Sequence, residues 1–242
     1  MIIFVHIPRT SGRYVLQHII PRHNHMKFHK KMPRLYQGGY EVSNSTIISG
    51  HIPFGIHSLM DIKGNSDEVN YITFLRDPLN RWISQFNYSV AFKRTIFKTW
   101  IKCNKNIIKV LDECINNGMN SNLMVKQMSG AEKLENGTNK KHMYMWSPRE
   151  CQYTADDMES MLALAQNNTS KFAIIGRSGE KKHYKQLFRF FGKSYRKFSR
   201  VNTARRKIPS INWEDVRVKS RLDKLNEYDI KLFNFVIGEI WK

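Results

Sequence analysis

The chain has 242 residues, 41% hydrophobic and 12% aromatic, which supplies one sizeable core and too little for two, so one domain over residues 1–242 is expected. No stretch approaches the roughly 18 consecutive apolar residues of a membrane span, and the opening Met1-Ile2-Ile3-Phe4-Val5-His6-Ile7-Pro8 lacks the regions of a secretory leader. Forty Lys plus Arg against twenty Asp plus Glu leave a formal +20, a field that draws nucleic acid, a phosphorylated cofactor or an acidic polysaccharide, although a solvated basic surface is the simpler reading on charge alone.

In chain order, Ile2–Ile7 is a short apolar, β-branched run that reads as a strand, followed by a Gly-bearing turn and a periodic segment, Tyr14–Ile20, that reads as a helix. Thr46–Ser49 and Tyr71–Leu75 are two further strands, and Asn80–Phe92 and Ile107–Ile115 have helical periodicity. Residues Gly130–Lys141, rich in Gly, Asn and Lys, read as a loop; Asp156–Ala165 is a helix, Phe172–Ile175 a fourth strand, and Lys182–Phe191 and Tyr228–Ile240 the last two helices. From Gly179 to Arg221 there are 14 Lys or Arg against three acids, Glu180, Glu214 and Asp215. Continuous apolar strands alternating with helices predict an α/β fold around a parallel sheet buried on both faces. Cys103, Cys114 and Cys151 are odd in number and lack CxxC spacing, which suggests neither a disulfide framework nor a metal cluster; the simplest setting is reducing and cytoplasmic, with no metal.

Two segments carry candidate chemistry. His6-Ile7-Pro8-Arg9-Thr10-Ser11-Gly12-Arg13 lies at the first strand-to-helix turn, where backbone N–H groups and a helix start converge on one point and can hold a phosphate or sulfate. Arg9, Thr10, Ser11 and Arg13 add charge-assisted and hydroxyl hydrogen bonds to that anion. It is not a Walker A loop, because GxxxxGK[ST] is absent. Leu75-Arg76-Asp77-Pro78 ends the third strand, and Arg81, Ser84 and Tyr88 follow on the next helix. Ligands of open α/β sheets bind at carboxyl ends of strands, so Arg76 and Ser84 are placed to clamp a second phosphate; the commoner fate of such residues is an N-cap for Asp77 and solvation for Arg81.

Phe4-Val5-His6-Ile7-Pro8-Arg9-Thr10-Ser11-Gly12 resembles the 5′-phosphosulfate loop of PAPS-dependent carbohydrate sulfotransferases (PAPS, 3′-phosphoadenosine 5′-phosphosulfate), hydrophobic-His-Ile-Pro-Lys-Thr-Gly-Gly-Thr. The run from Thr73 to Tyr88 is similar to their 3′-phosphate motif. Gly50-His51-Ile52-Pro53-Phe54-Gly55, Asn122 to Gly130 and Arg200-Val201-Asn202 fit the same pattern, so the resemblance, with heparan sulfate 2-O- and 6-O-sulfotransferases as the relatives in view, covers most of the chain. It implies a P-loop-like fold with a central parallel sheet flanked by helices, PAPS as donor and a glycan hydroxyl as acceptor. Arg9, Ser11 and Arg13 depart from the family's Lys, Gly and Thr, which changes the geometry of anion contact, since a guanidinium is a planar fork and an ammonium a point charge.

Sulfuryl transfer needs an in-line hydroxyl, a proton acceptor and positive charge on the departing phosphate oxygens. His51 follows the second strand on the same edge as both motifs and is the candidate general base, the role a His of that region has in the relatives; His57 is the nearby competitor, and His6 is expected to shape the loop. Arg9 is expected to support the leaving group, with the donor held by Arg9, Thr10, Ser11, Gly12, Arg13, Arg76 and Ser84. The basic tract Arg196 to Lys207 is suited either to closing over the donor or to attracting an acidic acceptor. Three rival readings stay open: a P-loop-like small-molecule kinase, a nucleic-acid-binding protein, and a sulfotransferase relative that binds without turnover. The charge accounts for nucleic-acid binding but not for the two spaced motifs, so no stable nucleic-acid complex is expected.

Overall fold

The computed structural model describes residues 1–21, 25–27, 46–59, 69–118, 121–130, 153–196 and 209–242. Five strands form one sheet: β1 (Ile2–Val5), β2 (His25–Lys27), β3 (Ile47–Gly50), β4 (Asn70–Leu75) and β5 (Phe172–Arg177), in the order β2-β3-β1-β4-β5. Every pairing is parallel; Val5 sits opposite Gly50 on one side and Thr73 on the other. The expected α/β architecture is therefore present, and β1 lies at its centre, where the chain departs first to one side and then to the other.

Alternation along the strands sorts the core into two layers. Ile3, Val5 and Ile7 face Met124, Val125 and Met128 of α5 (Leu123–Met128), Met158, Met161 and Leu162 of α6 (Ala155–Asn168), and Leu232, Phe233 and Val236 of α9 (Glu227–Glu239). Phe4, Ile72 and Phe74 face the opposite way, toward Val15 of α1 (Gly12–His18), Ile19 just past its end, and Leu187 and Phe188 of α7 (Lys181–Phe190). A third cluster lies off the sheet, where α2 (Pro78–Ala91), α3 (Thr95–Lys102), α4 (Ile107–Asn116) and α8 (Val216–Leu225) bury Trp82, Phe86, Trp100, Leu111 and Leu222 together.

The structure differs from the sequence expectation in places. The first strand ends at Val5, although the His6 N–H still donates to the Gly50 carbonyl, because Ile7 and Pro8 turn away into the loop. Strand β2 and helices α3, α5 and α8 were not predicted. The expected loop from Gly130 to Lys141 lies outside the described residues beyond Gly130, and the basic tract from Arg196 lies outside them beyond that residue. Among the described residues no helix is long and apolar enough to cross a membrane.

Helix α2 is pinned by a buried charge. Arg81 has no exposed surface; its Nη2 donates to Asn226 Oδ1 at 3.2 Å, and its Nε lies 3.7 Å from Asp229 Oδ2. Asp229 also accepts from the Val125 and Met124 N–H groups at 2.9 and 3.2 Å. In return Asn122 Oδ1 accepts from the Tyr228 and Asp229 N–H groups, so α5 and α9 cap each other around the guanidinium. Burial pushes the Asp229 carboxyl above its ordinary value, opposed by Arg81 and those two N–H donors; burial lowers Arg81, opposed by Asp229. Asp229→Asn leaves a buried guanidinium without its counter-charge, and urea unfolding is expected to show a loss of about 3–5 kcal/mol. A loss below 1 kcal/mol would mean that the pair does not hold α2.

His183 sits behind the sheet's last strand. Its Nδ1 accepts from the Arg177 N–H at 2.9 Å, which requires an unprotonated Nδ1, and its ring packs 5.4 Å from Trp241, whose indole N–H donates to the Ile175 carbonyl. Burial, followed by the charge of Lys182, lowers its pKa. The folded state thus binds fewer protons than the unfolded state, where the pKa is about 6.5. This contribution is complete above that value and lost as pH falls below it. Thermal melting between pH 7.5 and 5 is expected to show a fall in Tm that His183→Gln reduces; an identical slope in the variant refutes the assignment.

Candidate active site

The β1–α1 turn is held in a conformation that its residues do not choose freely. Arg9 and Ser11 both have left-handed backbones, with φ of 70° and 72°, which for non-glycine residues costs on the order of 1–3 kcal/mol each and persists only where the surroundings impose it. Gly12 is imposed sterically: a Cβ there would stand 1.8 Å from the His6 imidazole. The Thr10 hydroxyl donates to the Ile7 carbonyl at 2.7 Å, so its hydrogen closes the turn and is not directed outward.

Arg9 extends from this turn to α2. Its Nε donates to Ser84 Oγ at 3.0 Å, and its guanidinium lies over the Tyr88 ring, 4.7 Å from the centroid. Arg76, at the carboxyl end of β4, donates to the Arg9 carbonyl at 3.4 Å. Asp77 caps α2, accepting from the Asn80 N–H at 2.8 Å with Pro78 at the first helical position, which fixes the angle at which Ser84 and Tyr88 return to the loop. Arg81, for which solvation is the commoner fate, is fully buried instead.

The loop and the β4 edge therefore bring Arg9, Arg76 and Ser84 together, and Arg13, exposed in the first turn of α1, stands within electrostatic reach of Arg9. Burial and then the charge of Arg76 depress Arg9, Tyr88 opposes this and Arg13 adds to it; burial depresses Arg76, opposed by Asp77 and Tyr184. Among the described residues neither Arg9 nor Arg76 forms an ion pair with a carboxylate. Two half-buried guanidiniums held close, with no ion-paired carboxylate among the described residues, make an arrangement that suits an anion.

His51 follows β3, beside β1, at the same edge. Its Nδ1 lies 2.7 Å from the His6 carbonyl oxygen; a carbonyl only accepts, so Nδ1 carries the hydrogen and Nε2 is the basic nitrogen. Its ring packs tilted against His6 with centroids 4.4 Å apart, and His6 lies parallel to Phe4, so His6 shapes both the loop and the seat of His51. His57 is elsewhere: its Nδ1 meets the Tyr71 hydroxyl at 2.6 Å, near the start of β4 and at the other end of that strand from Arg76. Among the described residues no group of three or more His, Cys, Asp or Glu is suited to a metal.

The family model described as Sulfotransferase family matches residues 1–236, which takes in all five strands and both motifs. The chain belongs to the Sulfotransferase family. The family's activity is transfer of a sulfuryl group, its donor is generally PAPS, and its fold is P-loop-like, in agreement with the parallel sheet seen here. A search of curated proteins returns no match. Two residues beside the guanidiniums at the carboxyl edge escaped sequence reasoning. Ser178 and Tyr184, from the turn after β5 and from α7, both reach Ser11. The rule that led to Arg76, that ligands gather at strand ends, applies equally to Ser178, one residue past β5.

Gly12→Ala is expected to destabilise the protein by about 1–3 kcal/mol in urea unfolding, the usual range for overpacking. Because the clash is with His6, His6→Ala in the same chain should cost less than the two single changes added together. Strict additivity would show that the Gly12–His6 approach does not set the loop.

Proposed function

We propose that this chain transfers the sulfuryl group of PAPS to a hydroxyl of a glycan, by in-line attack at one edge of the sheet. The observation that carries the reading is the meeting of Arg9, Arg76 and Ser84 one strand away from His51. The donor is anionic at both ends, and the residues suit both. Arg9, Arg13 and the Ser11–Gly12 turn would take the 5′-phosphosulfate. Arg76 and Ser84 would take the 3′-phosphate; the Ser84 hydroxyl accepts from Arg9 and so keeps its own hydrogen to donate to a phosphate oxygen.

In this reading His51 Nε2 takes the hydrogen of the acceptor hydroxyl as its oxygen bonds to sulfur. The bond from sulfur to the phosphate oxygen breaks, and Arg9 stabilises the charge that grows on that oxygen. The products are a sulfate ester, adenosine 3′,5′-bisphosphate and a proton on His51. The His6 carbonyl, held 2.7 Å from Nδ1, fixes the tautomer and favours the imidazolium as it forms. The likeness of both motifs to those of carbohydrate sulfotransferases favours a glycan as the acceptor.

An acidic acceptor is favoured by α7. Lys181, Lys185 and Arg189 are exposed at i, i+4 and i+8, a row of like charges, and Lys181 and Lys182 occupy the helix's positive end; both placements cost helix stability, and a polyanion lying along the row would offset them.

Calorimetric titration with adenosine 3′,5′-bisphosphate beside AMP tests the donor site. The bisphosphate is expected to bind at least tenfold more tightly, with the preference removed by Arg76→Ala. His51→Ala should leave that affinity within about twofold and lower turnover by the 10²–10⁴ typical of a general base. Equal binding of the two nucleotides overturns the donor site and favours the kinase or nucleic-acid readings; retained turnover removes His51 as base.

A further inference from the structure

The turn after β5 is joined to the β1–α1 turn by a chain of hydroxyls. The Gly179 N–H donates to the Tyr184 hydroxyl at 3.1 Å, Tyr184 donates to Ser11 Oγ at 2.7 Å, and Ser11 Oγ lies 2.6 Å from Ser178 Oγ. The N–H can only donate, so it orients the chain from one end. Tyr184 gives its hydrogen to Ser11, and one serine hydrogen closes the Ser11–Ser178 contact. One serine hydrogen is then left without an acceptor among the described residues. Each bond polarises the next, which strengthens that last donor.

Position gives this hydrogen a use. Ser11 adjoins Arg9 in sequence, and Tyr184 lies within electrostatic reach of Arg76, so the hydroxyls border the cationic edge described above. Ser11 also occupies a left-handed turn at φ 72°, which a glycine would adopt without strain. The Tyr184 ring is fixed independently of its hydroxyl, parallel to Phe74 at 5.1 Å and 4.9 Å from Tyr14, and the Ser178 N–H donates to the Leu75 carbonyl at 2.7 Å. Both partners of Ser11 are thus held by the sheet.

We propose that Ser178 and Tyr184 are positioning residues of the donor site, holding Ser11 in its left-handed turn and presenting the remaining serine hydrogen to an oxygen of the 5′-phosphosulfate. The assignment rests on the donor-site reading above. It also explains how a serine is accommodated where the related loops have glycine: the turn's strain is offset by hydrogen bonds from β5 and α7.

Tyr184→Phe removes the hydroxyl and keeps the packed ring, and Ser178→Ala removes the other partner; each is made with Ser11 intact and with Ser11→Gly. In the ligand-free protein, hydrogen exchange at the amides of residues 10–13 should quicken in Tyr184→Phe and in Ser178→Ala, and should not respond to either change once Ser11 is glycine. Affinity for adenosine 3′,5′-bisphosphate should fall roughly three- to tenfold in each single variant, the loss of about one hydrogen bond, and by less than twofold in the Ser11→Gly background. Equal losses in both backgrounds would show that the residues act only through general stability and would overturn the proposal, as would unchanged exchange and affinity in the single variants. Absence of bisphosphate binding in the unaltered protein would refute the donor reading itself, and with it the hydrogen bond to the phosphosulfate, while the exchange measurement would still decide whether the hydroxyl chain holds the turn.

Discussion

Burying the Arg81 guanidinium in the first turn of α2 obliges other elements to assemble around it. An uncompensated charge at that depth is prohibitive, so Asp229 and Asn226 must arrive from the far end of the chain, and Asp229 in turn must draw on the N–H groups that begin α5. The consequence for the site is geometric. Arg81, Ser84 and Tyr88 stand at i, i+3 and i+7, on one stripe of the helix, so anchoring the first sets the rotation at which the other two meet Arg9. One residue of the motif is structural, and its burial sets how two others meet the loop.

The turn between β1 and α1 stores the opposite kind of tension. Arg76 and Arg13 both repel Arg9, and burial adds to the cost for Arg9 and Arg76. Backbone strain at Arg9 and Ser11 is added to this. Such an arrangement is held in place by its frame: the His6 ring against Gly12, the Thr10 hydroxyl on the Ile7 carbonyl, Ser84 on the Arg9 guanidinium. Because the groups are already in place before any anion arrives, little reorganisation opposes binding, which is the condition under which electrostatic stabilisation of a leaving group is most effective.

What could be read from the sequence was local. The four apolar strands were legible because burial on both faces leaves continuous runs such as Ile72 to Leu75, and the capped start of α2 was legible in Asp77-Pro78. Strand β2 has three residues, His25–Lys27, with no apolar run to signal it. Helix α5 has six and is stabilised by Asp229 across 104 residues of chain, so its own pattern was too short to speak. Helix α8 did have periodic apolar residues, Val218, Leu222 and Leu225, but they were submerged in a basic stretch read for its charge. Arg81 shows the same limit from the other side: a charged residue in an exposed-looking helix was buried by partners that spacing could not reveal, Asn226 being 145 positions away.

The same distance effect governs the candidate site at the carboxyl edge of the sheet. Arg9 and Arg76 could be found because each lies in a segment whose composition announces a strand end; Ser178 follows a predicted strand as well, but Tyr184, a helical residue, is recognisable only once α7 is seen beside the β1–α1 turn. Departures within the first motif then acquire a physical reading. Arginine in place of lysine spans from the turn to Ser84 and Tyr88 with one planar group, which a point-like ammonium does less well. Serine in place of glycine adds a hydroxyl that two neighbouring groups, Tyr184 and Ser178, are arranged to engage, with the Gly179 N–H donating in turn to Tyr184. Substitutions that look like erosion of a motif when taken one at a time are, in the folded chain, matched by contacts from α2, from α7 and from the turn after β5, so the loop is better judged by what surrounds it than by its distance from a consensus.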